Sequence, residues 1–113
     1  MNVETKAVRV LADYRSHPLW LTGADVGDIA PDDPVLGLTP ELAGELGRWA
    51  EAYDATLDQD DPAESGFPTE EAEAAFVRTG EALARRVAAE LGPAWKVTYF
   101  DERLRADVEI SSA

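Results

Sequence analysis

The sequence predicts an α+β protein in which a mainly antiparallel sheet of about four strands packs as one layer against two helices. Two amphipathic helical stretches occupy the middle of the chain. Stretches of alternating apolar and polar residues lie on both sides of them, which gives the order ββααββ. A length of 113 residues fits a single domain, 1–113.

The N-terminal part of the chain predicts a hairpin. Residues 6–14 alternate apolar and polar side chains as a strand does, and residues 19–22 predict a short second strand after a break at Arg15–Pro18. Residues 23–38 contain two glycines and two prolines in their interior and predict a loop.

Two helices are predicted over residues 39–57 and 69–91. Each begins with a threonine suited to cap it, Thr39 or Thr69, and each carries apolar residues at spacings of three and four. The first stripe is Leu42, Leu46, Trp49, Tyr53 and Leu57; the second is Phe76, Gly80, Leu83, Val87 and Leu91. Gly80 in the second stripe allows another element to approach closely. Gly92 and Pro93 end the second helix.

The C-terminal part of the chain predicts a second hairpin. Residues 94–100 alternate apolar and polar side chains, and so do residues 104–110 after a turn at 101–103.

Several function classes lack their signatures. The chain has no cysteine, which excludes disulfides, thiol catalysis and cysteine zinc sites. It has neither a glycine-rich phosphate loop nor a nucleophile-elbow serine. We therefore predict no cofactor, no catalytic residue and no metal site. The N-terminus lacks a signal-peptide pattern and no apolar run is long enough to span a bilayer, so we expect a cytoplasmic protein without membrane contact.

The charge is strongly negative and unevenly distributed. The formal net charge is −13, which disfavours nucleic acids and anionic lipids as partners. Residues 38–68 hold eight acidic residues and one basic residue, Arg48. More than half of the excess negative charge therefore lies in this stretch.

Within that stretch, an acidic segment at 54–64 is the candidate partner-binding site. Its members are Asp54, Asp58, Asp60, Asp61 and Glu64. Such carboxylates could hold Ca²⁺, but the spacing fails the EF-hand pattern, because Pro62 and Ala63 stand where a ligand and a glycine are required. Asp54 and Asp58 also lie at the negative end of the first helix, which destabilises the helix. Either Arg15, Arg78 or Arg85 compensates them, or they serve an external cation.

Two further residue sets have ordinary structural explanations. His17 is the single histidine, and we interpret it as a turn residue rather than a general base. The aromatic residues follow the helix and strand periodicities that a core requires, which favours core packing over a ligand pocket. They are Tyr14, Trp20, Trp49, Tyr53, Trp95 and Tyr99.

Five segments resemble a group of short, uncharacterised actinobacterial proteins, and the similarity extends over most of the chain. They are ADY at 12–14, PLW at 18–20, LTPEL at 38–42, WAEAYD at 49–54 and DPAESGF at 61–67. The resemblance implies no activity and no site residue.

Three hypotheses on function follow from the sequence. The first is a non-catalytic acidic module of the immunity, antitoxin or inhibitor kind, which docks a basic protein through the 54–64 segment. The second is a structural or self-associating domain, which would allow a homo-oligomer. The third is a carboxylate-based metal-binding protein or enzyme. The charge distribution favours the first.

Overall fold

The computed structural model describes residues 6–22, 27–56 and 66–110. These ranges form five strands and two helices in the order βββααββ. The elements are β1 (Lys6–Val10), β2 (Leu19–Thr22), β3 (Gly27–Ile29), α1 (Pro40–Asp54), α2 (Glu70–Leu91), β4 (Trp95–Asp101) and β5 (Ala106–Ile110). The α+β class and the two helices are confirmed. The prediction of four strands in the order ββααββ is wrong, because β3 lies within the stretch predicted as a loop.

The sheet is mixed, with the strand order β3-β2-β1-β4-β5. Both predicted hairpins are present, β1 with β2 and β4 with β5. β2 also pairs antiparallel with β3, whereas β1 pairs parallel with β4. Parallel neighbours need a long crossover, and here the chain between them runs through both helices. β1 and β4 therefore end at the same edge of the sheet.

The extra strand β3 is only three residues long and depends on its neighbours. Leu19 pairs with Ile29 and Trp20 with Asp28. The Asp28 carboxylate also accepts a hydrogen bond of 2.9 Å from the main-chain N–H of His17. A segment this short shows no periodicity, so local sequence does not distinguish it from a loop.

Both helix N-termini are capped as predicted. The hydroxyl oxygens of Thr39 and Thr69 accept hydrogen bonds from the N–H groups of Leu42 and Ala72. α1 ends at Asp54, three residues before its predicted end, and Leu57 lies outside the described residues. α2 ends at Leu91, as predicted, with Gly92 at a φ of 78°. Neither helix combines the length and the apolar character needed to cross a bilayer.

The core lies between one face of the sheet and the two helices. The sheet contributes Val8, Val10, Leu19, Val97, Tyr99 and Ile110, and the helices contribute Leu42, Leu46, Trp49, Phe76, Leu83 and Val87. The Trp49 indole N–H donates to the Phe76 carbonyl, and the Tyr99 hydroxyl donates to the Val77 carbonyl. Trp49 and Tyr99 are thus core residues as predicted, whereas Tyr14, Trp20, Tyr53 and Trp95 are only partly buried.

Candidate functional site

The topology brings four chain segments together at one end of the molecule. β1 and β4 end there because they are parallel neighbours. α2 runs into β4, so its N-terminus returns to this end, and the C-terminus of α1 lies beside it. The four segments are therefore these two helix ends and the two turns that follow β1 and β4, namely the β1–β2 turn and the β4–β5 turn.

Carboxylates from each of these segments converge, and we call this group the acidic pole. It consists of Asp13, Asp54, Glu73, Asp101 and Glu102. Three guanidinium groups lie nearby in the chain, those of Arg15, Arg103 and Arg105. Arg103 approaches Glu73 at 4.0 Å, with both side chains about half exposed, so this ion pair offsets little of the charge.

The electrostatics of Glu102 show how close these groups are. Burial raises the pKa of Glu102 above its ordinary value of 4.5, and the charges of Asp13, Glu73 and Asp101 raise it further. Arg105 acts in the opposite direction and lowers this pKa. The net shift is upward, so the charged form of Glu102 is disfavoured in the folded protein.

The β1–β2 turn is held against the C-terminus of α1. Tyr14 stacks on Tyr53 with ring centroids 4.6 Å apart, and its hydroxyl lies 3.0 Å from that of Thr56. The Asp54 carboxylate accepts a hydrogen bond of 2.9 Å from the main-chain N–H of Arg15. Arg15 therefore does meet Asp54, through its backbone, and Arg85 instead pairs with Glu81 at 2.9 Å.

Tyr53 responds to the same environment. Burial, followed by the charge of Glu102, raises the pKa of Tyr53 to about 12. Tyr14 and Asp13 contribute in the same direction. The phenol is therefore neutral throughout the physiological pH range and acts as a packing group at the acidic pole.

The β4–β5 turn presents an apolar side chain from a rigid frame. The Asp101 carboxylate accepts hydrogen bonds from the N–H groups of Arg103 at 2.8 Å and Leu104 at 3.0 Å. Arg105 adopts a left-handed φ of 52° and donates to the Asp101 carbonyl. Leu104 between them is 68% exposed. A large apolar side chain held in place by a fixed turn is suited to contact another protein.

Four of the five predicted site residues, Asp58, Asp60, Asp61 and Glu64, lie outside the described residues. The residues on both sides of this acidic stretch are described, and the N–H of Gly66 donates to the Thr56 carbonyl at 3.0 Å. Thr56 and Gly66, which flank the stretch, therefore lie beside the acidic pole, to which Asp54 itself belongs. The role of the stretch as a docking segment stays a prediction.

A groove runs between α1 and α2 and reaches this end of the molecule. Its volume is about 1000 Å³. The buried rings of Trp49 and Phe76 and the side chain of Leu83 form its floor. Exposed small residues line its walls, namely Ala52, Ala55, Ala75, Thr79 and Ala82.

Catalytic and metal chemistry find little support among the described residues. His17 is exposed and does not line the groove. Over 6–22, 27–56 and 66–110, no group of three or more His, Asp or Glu side chains is arranged to hold a metal ion. The acidic pole instead presents carboxylates and one exposed leucine, Leu104, on a fixed frame.

Sequence reasoning missed Asp13, Glu73, Asp101 and Glu102. These residues are up to 89 positions apart in the chain, and each is unremarkable within its own element. The parallel pairing of β1 with β4 is what brings them together. Only a correct prediction of that pairing would have identified them from the sequence.

The comparisons with known proteins point to one family. The sequence model of a family described as Serratia CdiI immunity protein-like matches residues 6–102. This range includes both helices, β1 to β4 and the residues of the acidic pole. The search of curated proteins found no match.

Proposed function

This chain belongs to the Serratia CdiI immunity protein-like family, and we propose that it is a non-catalytic immunity protein that neutralises a protein toxin by binding it. We further propose that the toxin is basic at its contact surface. In this proposal the acidic pole and the acidic residues between 57 and 65 form the docking region.

The observation that carries this proposal is the match to the immunity protein-like family over residues 6–102. The acidic pole supports the choice of docking surface, because Asp13, Glu73 and Asp101 lie close enough to Glu102 to raise its pKa, although burial is the largest cause of that shift and Arg105 opposes it. Such an arrangement reduces stability, and a partner with opposite charge offsets the repulsion when it binds. Complementary charge also speeds the encounter between two proteins and disfavours wrong partners.

Three variants test the proposal. The first neutralises the pole with Asp54→Asn, Glu73→Gln and Glu102→Gln. The second neutralises the stretch with Asp58→Asn, Asp60→Asn, Asp61→Asn and Glu64→Gln. The third, a matched control, removes three charges outside both the acidic pole and the acidic stretch with Asp32→Asn, Glu41→Gln and Glu109→Gln.

The toxin is identified by screening proteins encoded beside the gene of this chain for one that kills cells unless the chain is co-expressed. The dissociation constant is then measured at low and high salt. We expect the first two variants to bind at least about tenfold more weakly, with a smaller salt dependence, and to protect cells poorly. The control should bind like the wild type. Failure of the wild-type chain to protect cells against any such protein would refute the proposed function.

A self-associating domain is the second candidate, and the exposed Leu104 and Val35 are the features that favour it. Sedimentation velocity over a range of concentrations distinguishes the two candidates. A single monomeric species at all concentrations argues against self-association.

A further inference from the structure

The groove between α1 and α2 has the periodicity of a helix-binding surface. Apart from its floor, its lining residues are Glu45, Arg48 and Ala52 on α1, continued by Ala55, and Ala72, Ala75, Thr79, Ala82 and Arg86 on α2, while Thr56 and residues 66–68 line its end at the acidic pole. Both series alternate steps of three and four residues, so each helix turns one continuous stripe toward the groove. The stripes extend about 15 Å along α1 and about 21 Å along α2, at about 1.5 Å per residue. This length matches three to four turns of a third helix.

The depth and chemistry of the groove also fit a helix. Its floor is aromatic and aliphatic, formed by Trp49, Phe76 and Leu83. The walls carry alanines, so the backbone of an added helix could approach the 8–10 Å interaxial distance usual in bundles. Ala75, Thr79 and Ala82 are exposed in the free chain. An apolar floor with small, accessible walls is a surface that a partner side chain can fill.

The two ends of the groove differ in charge. At the acidic pole, the groove opens beside Asp54 and the first turn of α2, which carries Glu70, Glu71 and Glu73. At the other end Arg86 pairs with Glu45 and approaches Glu41 at 3.7 Å, and Arg48 is exposed, so this end is close to neutral. An α-helix has a positive N-terminal end. The acidic end of the groove therefore complements the N-terminus of a helix that runs in the same direction as α2.

We propose that the α1–α2 groove binds an amphipathic α-helix of the toxin, with the helix N-terminus at the acidic pole and its apolar face on Trp49, Phe76 and Leu83. This inference rests on the proposed function, because the occupant belongs to the toxin. It adds an apolar contact and a fixed orientation to the electrostatic docking described above. Binding then combines charge-guided encounter at the pole with burial of apolar surface in the groove.

The groove inference is tested by placing longer side chains on the groove walls without disturbing the core. The double variant Ala75→Gln/Ala82→Gln places polar side chains of good helix propensity where the proposed helix lies. Ala52→Gln does the same from α1. Ala89→Gln is the matched control, since Ala89 is an exposed alanine of α2 that does not line the groove. Circular dichroism and thermal unfolding confirm that each variant is folded.

We expect the double variant to bind the toxin at least about tenfold more weakly and Ala52→Gln to weaken binding in the same direction, while Ala89→Gln binds like the wild type. The acidic-pole variants separate the two proposals. If neutralising the pole weakens binding but both groove variants bind normally, the groove inference is wrong and the proposed function stands. If the wild-type chain binds no toxin, both fail. A dimer of the free chain that the double variant dissociates would also overturn the inference, because the groove would then hold a second copy.

The orientation has its own test, which the absence of cysteine in this chain makes direct. A photo-cross-linker is attached to a single introduced thiol, either Glu71→Cys at the pole or Ala89→Cys at the far end. We expect the first to capture residues near the N-terminus of one toxin helix and the second to capture residues near its C-terminus. Capture in the reverse order, or of residues outside a helix, would contradict the proposed orientation.

Discussion

Gly80 is the residue at which Trp49 of α1 and Tyr99 of β4 both meet α2. A Cβ atom at this position would lie 2.4 Å from the indole ring and 2.4 Å from the Tyr99 hydroxyl. Neither ring can retreat freely, because each donates a hydrogen bond to an α2 carbonyl. The missing side chain therefore sets the distance between α2 and its neighbours, as its place in the apolar stripe predicts.

Two glycine substitutions with opposite expected effects test this account. Gly80→Ala should lower the free energy of unfolding by about 1–3 kcal/mol, since it overpacks the core. Gly47→Ala in α1 is the control, because nothing lies within 4 Å of the added Cβ there. It should raise stability by up to about 1 kcal/mol through better helix propensity. Urea titration measures both, and a neutral Gly80→Ala variant would contradict the described contacts.

Glu102 links stability to pH at the acidic pole. Its pKa is higher in the folded chain than in the unfolded chain, so the stability that its proton contributes is present below the unfolded value. That contribution is lost as the pH rises through the folded value. Glu102→Gln removes this loss, because the amide stays neutral.

The expected result for Glu102→Gln is a gain in stability at pH 7 that shrinks toward zero near pH 4, where the wild-type carboxyl is protonated as well. Urea unfolding of both proteins across this pH range measures it. The same variant should weaken binding to the proposed toxin. A gain in stability together with weaker binding would show that the Glu102 charge serves binding and reduces stability. A loss of stability at pH 7 would mean that Glu102 makes a favourable contact when it is charged.

At the scale of elements, Glu90 near the C-terminus of α2 contacts Thr39, the residue that caps the N-terminus of α1. The Glu90 carboxylate accepts hydrogen bonds from the Thr39 N–H at 2.8 Å and from the Thr39 hydroxyl at 3.0 Å. An acid near the end of α2 opposes the dipole of its own helix, but here it serves the N-terminus of α1. This contact helps to fix the spacing of the helices at the end of the groove that lies away from the acidic pole.

Glu90→Ala should therefore lower the free energy of unfolding by about 1 kcal/mol or more, as the loss of a capping interaction does. Glu81→Ala is the matched control on the same helix. It removes only the ion pair with Arg85. The side chain of Arg85 is 62% exposed and that of Glu81 is 43% exposed. Such a surface pair contributes about 0.3–0.5 kcal/mol. Equal losses in the two variants would show that the Glu90 contact with Thr39 contributes no more than a surface pair.

The elements also show how far local sequence reaches. Thr39, Thr69 and Gly92 mark helix ends through capping chemistry that acts within a few residues, and the structure confirms all three. β3 has no such mark, since its three residues become a strand only by pairing with β2. Local signals therefore define the helices well and the short edge strand poorly.

For the whole molecule, a net charge of −13 affects folding and association in opposite ways. Like charges repel one another in the compact chain, so added salt should stabilise the folded state by screening them. The same salt would screen attraction to the proposed basic toxin, so association should slow.

We therefore expect the melting temperature of the free chain to rise, and the association rate constant with the toxin to fall, between low and physiological ionic strength. Differential scanning calorimetry and stopped-flow mixing measure the two. The variant with Asp32→Asn, Glu41→Gln and Glu109→Gln should keep the salt dependence of association, whereas neutralising the pole should reduce it. An association rate independent of salt would exclude electrostatic guidance.

Local sequence patterns account for the α+β class, both helices with their caps, both hairpins and the packing role of Gly80. These features depend on periodicity, capping and turn chemistry, which act over short distances along the chain. The sequence also identified an excess of negative charge between residues 38 and 68. The parallel pairing of β1 with β4 is visible only in the folded chain. That pairing gathers Asp13, Glu73, Asp101 and Glu102 beside Asp54, and it places the mouth of the α1–α2 groove at the same end. Both features arise from contacts between residues far apart in sequence, which no local pattern encodes.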